Sequence, residues 1–188
     1  MAPTSSKFCV LLSLTLFQLH LVSGGRLANG SSPLNQGLEE KTTTIHFFFH
    51  DIIVGEEPTA EKVAEVEMSK TSMTGFGMVA LFDDPLTEGP DATSKLIGRA
   101  QGLYASASQN DLSLLMVLNY VFLEGEYNGS SLSILGRNSI FSSTREMPVI
   151  GGTGMFRLAR GYALAKTYSL DLLTGNAVVE YNVTVIHY

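Results

Sequence analysis

A lone carboxylate at the end of an apolar run is the first feature of this sequence that could do chemistry. In FFFHD, residues 47–51, an extended chain puts Asp51 on the same face as Phe47 and Phe49, because successive strand side chains alternate. An ionised carboxylate there is costly unless it is paired or lines a wet cavity. Apolar surroundings also raise the pKa of a carboxyl group, which suits it to act as a general acid.

Four other polar side chains could line the same space: Tyr104, Asn138, Arg145 and Thr167. The alternative is that Asp51 and Arg145 form a buried salt bridge with no catalytic role. The pattern of residues alone leaves both possibilities open.

Two histidines in HFFFH have the spacing of a helical zinc motif. On a strand, His46 and His50 would instead lie about 13 Å apart at roughly 3.3 Å per residue, which one zinc ion cannot bridge. We therefore expect no metal, and we expect both histidines on an outer or interface face.

Other motifs of catalysis or cofactor binding are missing from the sequence. The loop GGTG, residues 151–154, lacks the Lys-Ser/Thr of a phosphate loop and the spacing of a dinucleotide fingerprint, so it predicts a tight turn with positive φ. The chain has no G-x-S-x-G elbow, and its only cysteine is Cys9. We expect no cofactor and no nucleophilic triad.

Short β-rich segments split by Gly, Asn, Asp and Pro must position these side chains, and no long segment has a helical period. The predicted strands are 44–54, 62–69, 76–83, 95–107, 112–123, 130–136, 138–147, 157–168 and 177–187. So many strands in a chain of 188 residues indicate an all-β closed barrel or a sandwich.

Two of these strands carry rows of small residues on one face. In 95–107 the row is Gly98, Ala100, Gly102, Tyr104 and Ser106, and 157–168 has a similar row around Ala163 and Ala165. Such rows suit either close packing against another backbone or an open space into which Tyr104 projects. They favour a hollow barrel that holds a small ligand.

The fifth and ninth predicted strands are apolar on both faces. Strands of this kind are covered on both sides, and with no helices to cover a barrel, another copy of the chain is the simplest cover. We predict a homo-oligomer.

The first 42 residues do not belong to the predicted barrel. Residues 1–25 have the layout of a secretory signal peptide, with an uncleaved anchor as the alternative, and residues 26–42 form a polar, flexible leader. Three sequons, at Asn29, Asn128 and Asn182, suit a secreted glycoprotein. The net charge of −6 without a basic cluster argues against nucleic acid or membrane as a partner.

Several motifs occur in the order and spacing of the plant dirigent proteins. They are FHDI (49–52), LFDDPLT (81–87), GRAQGLY (98–104), GRNSI (136–140), TRE (144–146), GGTGMF (151–156) and ARGYA (159–163). Residues 43–188 thus resemble a dirigent domain. The resemblance implies an eight-stranded antiparallel barrel with a hollow interior, usually trimeric, with a dimer possible, and glycosylated and secreted to the apoplast.

The resemblance also implies a function and a site. Dirigent proteins bind phenoxy radicals, supplied by an external laccase or peroxidase, and dictate which faces couple, as in lignan biosynthesis. Matched by motif, Asp51, Tyr104 and Arg145 correspond to catalytic pocket residues of the family. The predicted substrate-binding residues are Phe49, Asn138, Thr167 and Val179.

Two departures favour a different branch of the family. Lignan-forming members commonly have aspartate where this chain has Asn138, and they carry a cysteine pair that this chain lacks. The resemblance is therefore closer to a branch that includes pterocarpan synthases, which dehydrate an isoflavanol. Three hypotheses result: a coupling guide for phenylpropanoid radicals, a dehydratase or cyclase that works through a quinone methide, and a ligand carrier without effect on product handedness.

Overall fold

The computed structural model describes residues 39–188, which are almost entirely β-structure. The strands are β1 (Lys41–Asp51), β2 (Ala60–Ala64), β3 (Val79–Thr87), β4 (Leu96–Ser106), β5 (Ser113–Phe122), β6 (Ser131–Ser139), β7 (Arg145–Thr153), β8 (Arg160–Leu170) and β9 (Ala177–His187). Three short 3₁₀ turns lie at Glu67–Lys70, Gly125–Tyr127 and Gly154–Phe156. Within this part of the chain no helix is long and apolar enough to span a bilayer.

Eight antiparallel strands close into a barrel in the order β1-β9-β8-β7-β6-β5-β4-β3, with a final β3–β1 pairing. That closing seam is short and pairs Phe48 with Thr87 and Phe49 with Leu86. The ninth strand, β2, continues along the first half of β3 beyond the end of β1. The predicted all-β, eight-stranded antiparallel barrel is confirmed.

The predicted segments match most strands within three residues, but the hairpin of β6 and β7 is placed wrongly. The prediction broke the chain at Gly136, whereas β6 runs through it and the turn comes at residues 140–144. A Cβ at Gly136 would lie 2.9 Å from Met147 side-chain atoms, so the glycine permits a close approach of strands instead of a turn. The second half of the segment 62–69 leaves the sheet and enters the 3₁₀ turn Glu67–Lys70.

The tight turn with positive φ that was predicted for GGTG, residues 151–154, is confirmed only at the last glycine. Gly151, Gly152 and Thr153 finish β7, and the turn begins at Gly154, whose φ is 61°. Gly151 and Gly152 are therefore strand residues.

The two faces of β1 separate as the alternation predicts. Phe47 and Phe49 point into the barrel and are buried, while His46 lies outside and forms an ion pair with Glu180, with Nε2 and Oε1 2.8 Å apart. His50 lies on the same outer face as His46, as predicted, but only 4 % of it is exposed. Its ring is hydrogen-bonded to Thr87 on the outward side of β3.

Hydrogen bonds fix the protonation of the His50 ring at this seam. The Thr87 hydroxyl donates to the Gly89 carbonyl at 2.7 Å, so the His50 Nε2 must donate to Thr87 Oγ1, also at 2.7 Å. Burial lowers the pKa of His50, which favours the neutral ring with its one proton on Nε2.

The row of small residues on β4 both packs closely against a neighbouring backbone and borders an open space, which are the two alternatives that the sequence left open. Cβ atoms at Gly98 and Gly102 would lie 2.3 and 2.2 Å from the carbonyl oxygens of Val121 and Val117, so these positions let β4 and β5 pack closely. Tyr104, on the same row, is buried and borders a cavity.

An exposed apolar face covers the outside of strands β3 to β7. Its members, called the apolar face below, are Leu81, Leu115, Val117, Leu135 and Ile150. The outer side of β9 is mixed instead, with Glu180, Asn182 and Thr184 between apolar ends. Of the outer surfaces, the apolar face agrees best with the prediction that another copy of the chain covers some of the strands.

The N-terminal predictions fall largely outside the described residues. The signal peptide, the leader up to residue 38, Cys9 and the Asn29 sequon lie there, and β1 begins at Lys41, two residues before the predicted domain start. Asn128 is exposed in the turn before β6, and Asn182 is half-buried on the outer face of β9.

Candidate functional site

The interior of one barrel end holds a cavity of about 410 Å³. This volume falls within the roughly 300–1,000 Å³ of small-molecule sites. All seven residues predicted for the site line it: Phe49, Asp51, Tyr104, Asn138, Arg145, Thr167 and Val179. The structure brings these side chains to one cavity, as the sequence predicted.

Aromatic packing closes the barrel below the cavity. Phe47 and Tyr120 meet edge to face at 4.9 Å between ring centroids, and Tyr181 completes this cluster. Further down, Phe122 and Phe156 fill the opposite end. The cavity therefore opens at one end only, where the loops after β1, β6 and β8 form an apolar mouth that includes Phe141 and Leu172.

One wall of the cavity carries acidic groups on the adjacent strands β1, β3 and β4. Burial raises the pKa of Asp51 to about 6, and its Oδ1 is buried without a hydrogen-bond partner among the described residues. Asp84 behind it is fully buried. Burial, then the charge of Asp51, raise the pKa of Asp84 to about 8.

Tyr104 belongs to the same wall and stays neutral. Its ring stacks on Phe82 with centroids 5.6 Å apart, and burial followed by the nearby carboxylates raises the pKa of its phenol. The hydroxyl can donate a hydrogen bond to a ligand, but it is a poor source of an anion.

The facing wall is cationic and lies on strands β6, β7 and β8. Only 4 % of Arg145 is exposed. Its Nε donates to Asn138 Oδ1 at 3.1 Å, and its Nη1 donates to Thr167 Oγ1 at 2.7 Å. Burial lowers the pKa of this guanidinium, but the group stays protonated.

No carboxylate among residues 39–188 forms an ion pair with Arg145. None of the ion pairs found in residues 39–188 includes Arg145 or Asp51. The alternative of a buried Asp51–Arg145 salt bridge is therefore wrong. In the sheet order β5 separates the two walls on one side and β9 on the other, so acid and cation face each other across the cavity.

Sequence reasoning missed two residues of this site. Tyr181 on β9 lines the cavity between the walls, and burial raises its pKa to about 12. Asp84 has the same signal that revealed Asp51, since it follows Ala80 and Phe82 on the inward face of β3. It was overlooked because the predicted strand stopped at residue 83.

The described residues offer no resident metal centre: no group of three His, Cys, Asp or Glu side chains in 39–188 has suitable geometry. The cavity itself is largely apolar, with proton donors on one wall and a positive charge on the other. Such a cavity can orient a flat molecule and offset opposite charges at its two ends.

Comparisons with known proteins agree with this fold. The family model described as Dirigent-like protein matches residues 42–186. Dirigent protein 1 of Arabidopsis thaliana is 50% identical over 183 residues, covering 97% of this chain and 100% of the relative. Pterocarpan synthase 1 of Glycyrrhiza echinata is 46% identical over 185 residues, 98% of each chain. The solved structure of the pterocarpan synthase dirigent protein GePTS1 is 52% identical, with a TM-score of 0.76 over 80% of this chain and 92% of that one.

Proposed function

This chain belongs to the dirigent family, and we propose that it binds a flat phenolic molecule in the barrel and directs its acid-assisted dehydration and ring closure through a quinone methide. The single observation that carries the proposal is a buried acidic wall facing an uncompensated guanidinium across one apolar cavity. The proposed substrate class is an isoflavanol, because relatives of this chain are named pterocarpan synthases and the family resemblance implies that such proteins dehydrate an isoflavanol.

The reaction divides between the two walls. Protonated Asp51 gives its proton to the benzylic hydroxyl, the carbon–oxygen bond breaks, and water leaves. The para phenol gives its proton to solvent water at the cavity mouth in the same step, which yields the neutral quinone methide. Arg145 faces this phenolic oxygen and offsets negative charge that develops there.

Ring closure then restores the proton count. A second phenolic hydroxyl of the substrate adds to the benzylic carbon and forms the new carbon–oxygen bond. Its proton goes to the carboxylate of Asp51, and the quinone methide oxygen regains the proton lost before. The net change is loss of one water, and the walls fix which face of the planar intermediate is attacked.

Turnover without an oxidant tests this proposal. The protein is incubated with a racemic isoflavanol and no oxidase, and the cyclised product is separated by chiral chromatography. We expect one product enantiomer in excess and at least about a hundredfold loss of kcat in Asp51→Asn. An Asp51→Asn protein with the full rate would exclude the acid role.

A second candidate function is stereoselective coupling of phenoxy radicals made by a laccase or peroxidase. The observation that favours it is the apolar part of the cavity, where Phe49, Met116 and Val179 could hold a phenol by its ring face without acid catalysis. Coniferyl alcohol with a laccase, with and without the protein, tests it. Racemic dimers in both reactions, across a panel of monolignols, would exclude this candidate, and an unchanged handedness with measurable binding would indicate a ligand carrier.

We further propose a secreted, glycosylated homo-oligomer, a trimer by family resemblance or else a dimer, that associates through the apolar face. Asn182 lies on the polar outer side of β9, so a glycan there would leave that face free. Light scattering on wild type and on Ile150→Glu checks this. A monomeric wild type would exclude it, and so would an Ile150→Glu protein that keeps the wild-type mass.

A further inference from the structure

We propose that Asp51 and Asp84 form a carboxyl pair that shares a proton, with Asp84 as the positioning residue that keeps Asp51 supplied with the proton it donates. The kinetic part of this inference rests on the proposed function. The existence of the pair does not depend on the substrate.

The register of the barrel seam places the two side chains together. β1 and β3 are antiparallel and pair Phe49 with Leu86, so each step forward on β1 is a step back on β3. Two steps beyond that pair, Asp51 comes opposite Asp84 on the inward face. The ladder ends at Phe49 and Leu86, so the two carboxyls meet just beyond it, where the charge of Asp51 raises the pKa of Asp84.

A hydroxyl next to the seam orients the Asp84 carboxyl. The Ile52 N–H donates to Thr59 Oγ1 at 3.2 Å, so the Thr59 hydroxyl is free to donate, and it donates to Asp84 Oδ1. Because Oδ1 accepts this bond, a proton on Asp84 belongs on Oδ2.

The two remaining oxygens fit each other. Asp84 Oδ2 and Asp51 Oδ1 are both buried, and neither has a hydrogen-bond partner in residues 39–188. Buried polar atoms are nearly always satisfied, because an unmade hydrogen bond costs about 1–3 kcal/mol. A proton on Asp84 Oδ2 that points to Asp51 Oδ1, directly or through one water, satisfies both.

Few other charges act on the pair. Tyr104 and Tyr181 face it from β4 and β9 as neutral phenols. Arg99 on β4 lowers the pKa of Asp84 and Asp83 on β3 raises it, both as minor effects that follow burial, Asp51 and Thr59. Arg145 lies on the opposite wall. The pair therefore titrates chiefly under the influence of its own two members.

The consequence is a pH dependence with two steps. Burial raises the pKa of Asp51 to about 6 and that of Asp84 to about 8, so the pair should release its two protons in two separate steps as the pH rises. Proton donation by Asp51 would then persist to a higher pH than a single isolated carboxyl group allows.

Infrared titration of isotope-labelled aspartates tests the pair without any substrate. In wild type we expect the protonated carboxyl band to vanish in two steps. Asp84→Asn should remove the upper step, and Asp51→Asn should lower it, because the neighbouring negative charge is lost. An upper step that does not move in Asp51→Asn would overturn the pair.

Kinetics then test the supply of the proton to Asp51. The variable is the pH profile of kcat/KM for an isoflavanol. In Asp84→Asn the alkaline limb of this profile should shift to lower pH by roughly one to two units, while the acidic plateau is retained. A uniform loss at every pH would show a merely structural role and overturn the inference. Asp83→Asn is the matched control, since that neighbour points outward to Arg99, and it should leave the limb within a few tenths of a unit.

A fourth variant covers the case in which Asp84→Asn does not fold. Thr59→Val removes the hydroxyl that lowers the pKa of Asp84, so the upper step should rise in both measurements. If that step stays fixed, the pair is refuted. A wild type without turnover refutes only the proposed function, because the infrared titration still decides the pair.

Discussion

Replacing Asn138 by aspartate tests whether the cavity uses the free charge of Arg145. Asn138 Oδ1 lies 3.1 Å from Arg145 Nε, and the change from amide to carboxylate needs no new space. At this distance two unit charges in surroundings of effective dielectric about 20 attract by about 5 kcal/mol, an upper limit because both groups must lose solvent. Hydrogen bonds to charged groups contribute about 1.5–3 kcal/mol net.

The new ion pair should lower activity by a matching amount. The introduced carboxylate would occupy the charge that otherwise offsets a developing phenolate, so transition-state stabilisation should fall by about 1.5–3 kcal/mol, or roughly 10- to 100-fold in kcat/KM. The unfolding temperature should not fall, since the buried guanidinium gains a partner. The assay is kcat/KM for an isoflavanol, together with thermal unfolding.

Asn110→Asp is the matched control for this experiment. It makes the same change in the exposed loop between β4 and β5, away from the cavity lining and the apolar face, and should alter kcat/KM by less than about twofold. A folded Asn138→Asp protein with wild-type kcat/KM would refute the reasoning, because it would show that the charge of Arg145 does not act on the substrate.

Three further variants probe stability. Thr87→Val leaves the buried His50 Nε2–H without an acceptor and should cost about 1–3 kcal/mol in denaturant unfolding, whereas Thr87→Ser should restore most of it. His50→Gln should weaken the loss of wild-type stability on acidification through about pH 6.5, since a lowered folded-state pKa means that the unfolded chain binds the extra proton. Leu158, exposed and with φ 62°, should gain up to about 1 kcal/mol as Leu158→Gly, and an unchanged or lower unfolding temperature would contradict this.

The fold was predictable because its determinants are local and periodic. Alternation in β1 put Phe47 and Phe49 inside, and the ninth strand was placed at its true limits, 177–187. Gly136 misled the prediction because a glycine in a strand and a glycine in a turn look alike in sequence. Only the packing of Met147 against it distinguishes them.

The site was predictable as a set of residues but not as an arrangement. Family motifs and alternation identified Asp51 and Arg145, but neither shows whether two side chains meet. Pairing or separation depends on how many strands lie between β1 and β7 after closure, which is a non-local property. The same limit hid Asp84, whose importance comes from its position opposite Asp51 across the seam.

Barrel closure itself creates the chemical asymmetry of the cavity. β1 and β3 are not consecutive strands of a hairpin, and they meet through only two residue pairs because β2 takes over the edge of β3 beyond them. The register continues two residues past the seam, so the last inward residue of β1, Asp51, comes opposite Asp84 of β3. Thr59, just before β2, donates to Asp84 Oδ1 at the same place. The short seam thus places two carboxyls and one orienting hydroxyl at the cavity wall, with Arg145 across from them. In the proposed reaction a flat isoflavanol would therefore bind productively in one orientation only, with its leaving hydroxyl at the acidic wall and its phenol at Arg145.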